Sequence, residues 1–521
     1  MLKKIFILVC FILITFYASA QKKENKKQVK LLLKDAQFSF DMDDYLRAWH
    51  QYRQVLLIDA KNDKAGINMA ICFFKLKYGL DSAQIFIPNL TSSKLIDANY
   101  YLAKIKHQQK KFDEAIQLLI TYNAINVKKR LHTSEETNYL IAVCNNAKKF
   151  TSNPHRSIIK NMGASINSPY ADYVPVIVPD ENTLYFTSRR EESSNNKKDA
   201  YGSYYEDVYV SYKENDNWLK AKNIGGPINS ETNDACAAIS PDGQSMIVYR
   251  TAANQISGDL YMTKLNNNNL WEPLKKMSEK INSQFIETSA CFSNDTNEIY
   301  FSSTRPGGYG GKDIYKLKKL PNGKWATPFN LGPTINTAYD EDSPFLHPDN
   351  VTLYFSSKGH TTMGEYDVFK TVLNAQTNTF SQAENLGYPI NDVGDDIFFV
   401  VSVDGQRGYY SSLKAETLGD VDIYQIDTRF GDNDLKIKHG TAFKENIPAK
   451  VKITLLDNEG NITNGTYSSN PSTGKFILVM NPLKSYKAVV ESEGYTTLFV
   501  DIEPIAFDKL DNDLEFKLLK K

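Results

Sequence analysis

Apolar residues follow one period before residue 150 and another after it. From about Val29 to Phe150 they fall three and four apart: Leu32, Ala36 and Phe40, then Tyr45, Ala48, Tyr52 and Leu56, with Lys, Arg, Gln and Asp between. That spacing lays one apolar stripe along each of a series of helices. From Met162 the pattern alternates, in short runs rich in Tyr, Phe, Val and Ile bounded by turn residues, and this predicts strands.

The alternating region repeats itself. Five times an acidic residue stands seven residues ahead of a turn dipeptide, and an aromatic run, a basic residue and an Asp-apolar-aromatic triplet follow. The turn dipeptides are Pro179-Asp180, Pro241-Asp242, Asn294-Asp295, Pro348-Asp349 and Val403-Asp404, at intervals of 62, 53, 54 and 55 residues. The linkers match as well, from Asn161-Met162-Gly163 to Ile166-Asn167-Ser168 and from Asn223-Ile224-Gly225 to Ile228-Asn229-Ser230, with three more of the kind. Each unit reads as strand, turn, strand, Gly-rich loop, strand, and a linker ending in a fourth strand. A period of this length marks a repeat architecture and turns attention from a single catalytic centre to scaffolds and binding surfaces.

Four short strands per unit, arrayed radially, describe a β-propeller blade. The units resemble the Pro-Asp-Gly propeller repeat of TolB-like envelope proteins, a relative of the WD-type blade, over about Met162 to Asp427. Five linkers and five turns favour five blades; six, with one degenerate, is the competing count. The linker at Asn161 precedes the first turn, so an N-terminal strand is expected to complete the last blade. The domain is bounded at 155–430.

Two recurrent acidic sets are candidate site residues. Asp172, Asp234, Glu287, Glu341 and Asp396 each stand before the first strand of a unit, the strand that lines a propeller channel. They could form a ring of carboxylates at one mouth, holding a cation or a basic peptide. Alternatively each accepts backbone N–H bonds or pairs with a nearby base such as Arg189, Arg305 or Lys358. Recurrence in every unit favours the second reading, because a contact joining blades must recur and a ligand contact need not. By the same logic Asp207, Asp259, Asp313, Asp367 and Asp422 lock turns and blades.

In the helical stretch, 29–150, small residues recur near a 34-residue period. Ala36, Ala70 and Ala103 form one series and Ala48, Ala83 and Ala115 another. This resembles a tetratricopeptide repeat of three helix pairs, with an unrelated bundle as the alternative. Beyond about Asp432 the propeller signals end while alternation continues. Roughly seven short strands over 435–521, among them Val451 to Leu456 and Gly474 to Val479 around a turn at Asp457-Asn458-Glu459-Gly460, suggest a small β-sandwich. Gly440-Thr441, Thr473-Gly474-Lys475-Phe476 and Glu493-Gly494-Tyr495 resemble the carboxypeptidase regulatory-like domain, which is non-catalytic in its family.

Charge and composition narrow the function. Lys+Arg and Asp+Glu both number 61 in 521 residues, so bulk attraction to nucleic acid or to a membrane surface is not expected. Residues 1–20 read as a secretory signal, with Lys3-Lys4, an apolar core from Ile5 to Tyr17 and Ala18-Ser19-Ala20, ahead of a polar leader at 21–28. Export is expected, to the periplasm with the outer membrane as an associated surface, and no span is expected after signal removal. Cys72, Cys144, Cys236 and Cys291 read as small buried residues, a Cys236–Cys291 bridge being the alternative.

No Gly-x-Ser-x-Gly, His-Glu-x-x-His or phosphate-cradling motif occurs, so no catalytic residue, cofactor or metal is expected. A glycoside hydrolase is the enzyme alternative, although its two carboxyl groups need unlike environments and these candidates are equivalent. The order of signal, helical repeats, propeller and regulatory-like module is similar to that of periplasmic proteins of type IX secretion and gliding machinery. Those usually end in an OmpA-like domain, which is not expected within these 521 residues. The resemblance implies a scaffold that binds envelope or secretion proteins through the helical array and one propeller face, with glycan as the alternative ligand.

Overall fold

The computed structural model describes residues 2–76, 80–92, 95–191, 196–199, 202–253, 257–374, 376–430, 435–457, 460, 462–504 and 513–521. Asp432 at the expected boundary and Asn458 and Glu459 at the expected turn lie outside them, as does Met1. A helical region precedes a large β-rich one, and the chain divides into units Met1–Lys148 and Lys149–Lys521.

The helices are α1 (Leu2–Asp41), α2 (Tyr45–Ile58), α3 (Asp63–Leu76), α4 (Ile87–Ser92), α5 (Ala98–Gln108), α6 (Phe112–Asn123) and α7 (Ser134–Ser152). Helix α1 runs without a break through the stretch read as signal and leader. Asp44 caps α2 by accepting the Arg47 N–H, which satisfies one of the donors a helix start leaves open. Both alanine series are buried, at 0 or 1 % exposure, where a methyl group lets backbones approach. One departure from paired helices falls in the middle: Ala83 lies in a 3₁₀ turn, Leu80–Ile85, followed by the short α4. Pro88 at the second position of α4 has no N–H to lose there, and the same property bars it from a helix interior.

Among its described residues the second unit holds seven antiparallel-rich sheets. The innermost strands of the first five are Asp172–Ile177, Asp234–Ile239, Ala290–Phe292, Glu341–Leu346 and Asp396–Val401. Each is followed by two further strands, and in the first four sheets by outer strands of only two residues, such as Lys222–Asn223 and Phe329–Asn330. The fifth sheet is completed from elsewhere in the chain: Ile158–Asn161 pairs antiparallel with Asp422–Asp427. Apolar burial lies between sheets. One cluster joins the first and second (Val176, Val208, Cys236, Val248), and others join the second and third (Ile247, Leu260, Phe292, Phe301) and the third and fourth (Tyr300, Ile314, Phe355, Phe369). Two more join the fourth to the fifth (Tyr354, Val368, Tyr410, Tyr424) and the fifth to the first (Val400, Tyr409, Phe186, Tyr209). Each sheet therefore abuts the next, and the last abuts the first.

The remaining two sheets enclose a separate core of Val451, Ile453, Leu478, Val490 and Phe516. Lys436–Lys444 is central to one and Lys452–Leu456 to the other. Cys72, Cys144, Cys236 and Cys291 are free and buried, and burial pushes the Cys236 and Cys291 thiols up to about 12.

Candidate functional site

The recurrent carboxylates lie inside the wall at one end of the innermost strands, exposed by 2 % or less. Asp172 accepts the Ser168 N–H and Oγ–H and the Arg190 guanidinium at 2.5 Å. Asp234 does the same with Ser230 and Arg250, and Glu287 with Ser283 and Arg305. Asp396 takes the Asp392 N–H and has Lys414 at 3.7 Å. Each therefore tethers the linker to the strand that follows it.

The partners differ from the sequence reading in two places. Asp172 pairs with Arg190, while Arg189 reaches Asp199 and Glu206; Lys358 pairs with Asp340. Arg250 of the second unit stands opposite Asp234 at the serine's own place; elsewhere the base lies two residues beyond the strand-end serine, as Arg305 lies beyond Ser303, and this singles out Arg190 after Ser188. In the fourth unit that place is Gly359. His360 Nε2 takes over the contact to the linker carbonyl of Ile335, at 2.8 Å, which the arginines make at Ile166, Ile228 and Ile281. Glu341 is left with the Thr337 N–H and the hydroxyls of Thr337 and Ser357, and burial raises its pKa to about 7.

The second acidic set meets the linkers too. Asp207, Asp313, Asp367 and Asp422 accept side-chain N–H bonds from Asn223, Asn330, Asn385 and Asn161 at 2.6–2.8 Å. Asp259 meets Lys276 instead, at 2.8 Å. The linker asparagines were the missed half of this device. Their signal was their constant place two residues before a glycine of positive φ, as in Asn223 and Gly225 (+72°).

Enclosed by the innermost strands is a cavity of about 320 Å³. Beside the carboxylates are two positions whose residues do not recur. One follows the carboxylate (Tyr173, Ala235, Thr288, Asp342, Ile397), and the other precedes the second-set aspartate (Glu206, Gly258, Lys312, Tyr366, Val421); of these Tyr173, Ala235, Thr288, Asp342, Glu206 and Lys312 line the cavity. The second position is held by backbone: Asp234, Glu341, Asp396 and Asp172 donate their N–H groups to the carbonyls of Glu206, Lys312, Tyr366 and Val421. Two polar clusters result. Glu206 Oε1 accepts from Tyr173 and Arg189, while Asp342 accepts from Lys312 Nζ at 2.6 Å and from Ser289 and Ser302. Burial raises the Asp342 pKa, but Lys312 and the hydroxyls outweigh it and hold the group below its usual value.

Deeper, the wall is Val176, Ala238, Cys291, Phe345 and Val400, and the floor is the five turn residues Pro179, Pro241, Asn294, Pro348 and Val403. Val174, Ser343 and Phe398 occupy equivalent bulge positions with φ of 53°, 53° and 60°, a region non-glycine residues seldom enter. The Val174 and Ser343 N–H groups are caught by hydroxyls of neighbouring sheets, Ser411 and Ser289.

The C-terminal sheets sit across this floor. Asn294 Nδ2 donates to Tyr467 Oη at 3.1 Å, Gln244 Nε2 to the Ser468 carbonyl at 2.7 Å, and Val403 joins the C-terminal core. At Gly465, φ +104°, a Cβ would stand 2.9 Å from the Asn294 backbone, so only glycine permits the approach. Tyr467→Phe removes the Asn294 bond together with the hydroxyl's bonds to the Val479 carbonyl and N–H, and is expected to cost about 1–2 kcal/mol in chemical denaturation. A change within a few tenths would show that this contact does not form.

Among the described residues no group of His, Cys, Asp and Glu is placed to hold a metal ion, and no helix is long and apolar enough to cross a membrane. No protein-family model matches the sequence, and no curated protein does. Among solved structures, TolB from Acinetobacter baumannii is similar at 18 % identity and a TM-score of 0.33, covering 51 % of this chain and 57 % of that one. This chain thus spans little more than half of the TolB structure. A thermostable family-43 glycoside hydrolase is similar at 13 % identity, TM-score 0.35, over 51 % of this chain and 92 % of the other. An endo-arabinase from Bacteroides thetaiotaomicron VPI-5482 stands at 14 %, 0.34, and 50 % and 94 %. Likenesses this loose carry no residue role across.

Proposed function

We propose that this chain is an exported, non-enzymatic scaffold of the cell envelope that binds proteins, in an assembly of the secretion or gliding type. Its parts are read as a tetratricopeptide-like array, a five-bladed propeller closed by the strand Ile158–Asn161, and a small sandwich. The supporting observation is the state of the carboxylates. Those at the mouth are buried and joined to linkers, and Asp342 inside the cavity is saturated by donors from the protein. Hydrolysis of a glycoside needs an acid and a base or nucleophile, both open to substrate.

A removal of residues 29–150 is expected to abolish capture of the native partner, followed by affinity purification and mass spectrometry. Circular dichroism of the truncated chain should retain its strand signal. Equal capture by truncated and full chains would overturn the assignment to the helical array.

The hydrolase reading has one observation in its favour. Glu341 and Asp342 are neighbours whose pKa values move in opposite directions, the separation that divides acid from base. Glu341 is nevertheless fully buried and does not line the cavity. Turnover of a polysaccharide panel, lost with Asp342→Asn or Glu341→Gln, would establish that reading and end the scaffold one.

A further inference from the structure

We infer that the open mouth of the five-sheet ring is a docking face for a cationic, apolar polypeptide segment of a partner protein, one basic side chain of which enters the cavity toward Glu206. The inference rests on the protein-binding reading above and assigns it a face and a chemistry.

The two ends of the ring differ. The C-terminal sheets occupy the turn end through Tyr467, Ser468 and the core around Val403. The carboxylate end carries a broken apolar rim: Ile286, Tyr309, Leu413 and Leu418 are 54, 51, 40 and 50 % exposed. All four lie on loops at the same end of the strands, because each innermost strand starts there and each second strand ends there. Isolated exposed apolar residues are ordinary, but several around one cavity mouth are the pattern of a contact surface.

Charge selects the occupant. Although the whole chain is neutral, the exposed acids on these loops are Glu191, Glu231, Glu279, Glu365, Glu416 and Asp420. Among the described residues the exposed bases there are Lys197, Lys198, Lys276 and Lys280, of which Lys197 and Lys276 are paired with Glu231 and Asp259. The face is therefore acidic in an otherwise balanced molecule, which steers a cationic partner toward it.

Two atoms inside the cavity point to a ligand independently of the surface charge. Ser343 is 6 % exposed, lines the cavity, and its Oγ has no hydrogen-bond partner among the described residues; buried hydroxyls normally have one. Glu206 also lines the cavity, and while its Oε1 takes both Tyr173 and Arg189, its Oε2 accepts nothing from the described residues. An ammonium or guanidinium supplies the donor both atoms lack.

The test titrates the full chain against dye-labelled synthetic peptides of roughly ten residues: Lys alternating with Leu and Phe, the same peptide with Glu for Lys, and Lys alternating with Ser. A neutral cello-oligosaccharide is included. The Lys–Leu–Phe peptide should bind, with affinity falling as salt rises, and about tenfold more tightly than either other peptide. Glu365→Lys with Asp420→Lys should weaken it about tenfold, Tyr309→Ser with Leu418→Ser should weaken it as well, and Glu206→Gln should reduce the preference for the Lys over the Glu peptide. Absence of binding, equal binding of the Lys and Glu peptides, indifference to charge reversal, or binding of the oligosaccharide in place of peptide would each overturn the proposal. Those results leave the scaffold reading standing if the native partner is still captured. Polysaccharide turnover by the same preparation would bring down both.

Discussion

Arg190→Ala is expected to destabilise the unit Lys149–Lys521 by about 3–5 kcal/mol. The guanidinium meets Asp172, which is 0 % exposed, and donates to the Ile166 carbonyl. Removing it strands a buried charge and an acceptor together, while Phe186 and Tyr209 lose the cation that lies over their rings. Arg305→Ala should behave alike through Glu287 and Ile281. Lys160→Ala is the control: its pair with Asp427 leaves the lysine side chain 59 % exposed, and such pairs contribute under about 1 kcal/mol. Urea unfolding of the three variants would decide the matter. Equal losses for Arg190→Ala and Lys160→Ala would show that these carboxylates are not locked into the wall.

The fourth unit should lose stability as pH rises. Glu341 is buried without a cation, and its pKa rises from the model-peptide range near 4.5 to about 7. Between those values the folded chain holds a proton that the unfolded chain has released, so stability falls as pH increases. The contribution is complete below about pH 4.5 and gone above about pH 7, a swing of up to about 3 kcal/mol. Glu341→Gln keeps an acceptor for the Thr337 N–H and cannot ionise. It should therefore flatten the decline between pH 5 and pH 8 and be the more stable protein at pH 8. Denaturation midpoints of both chains across that range test this, and parallel slopes would refute it. Glu287→Gln should instead destabilise at pH 8, because Arg305 would lose its counter-charge.

The contrast between these units shows how far the letters reach. Recurrence identified the ten acidic positions, the linkers and the turns, since a contact that joins neighbouring units must be made in each of them. The partner of each carboxylate was harder to read. Arg189 and Arg190 are adjacent in sequence but project to opposite sides of the backbone, so one residue of register separates the wall from the mouth. Lys358 was misassigned for the same reason. Gly359 and His360 hold the place of the missing base, and a substitution of that kind is visible only after superposing the units. In the helical unit the alanine period located buried positions, while the interruption at Leu80–Ile85 needed coordinates.

Sequence by itself determined the local elements, their order and their recurrence, because strand alternation, turn chemistry and helical spacing are properties of neighbouring residues. Tertiary structure alone decided what those elements enclose. Glu206 and Tyr173 meet across 33 positions, Ser289 and Asp342 across 53, and Asn294 and Tyr467 across 173. The residues that edge the cavity are the ones that differ from unit to unit, so they carry no periodic signal. They come together only when the fifth sheet packs against the first and the C-terminal sheets settle over the turns, for a cavity is made by closure and no single unit contains one.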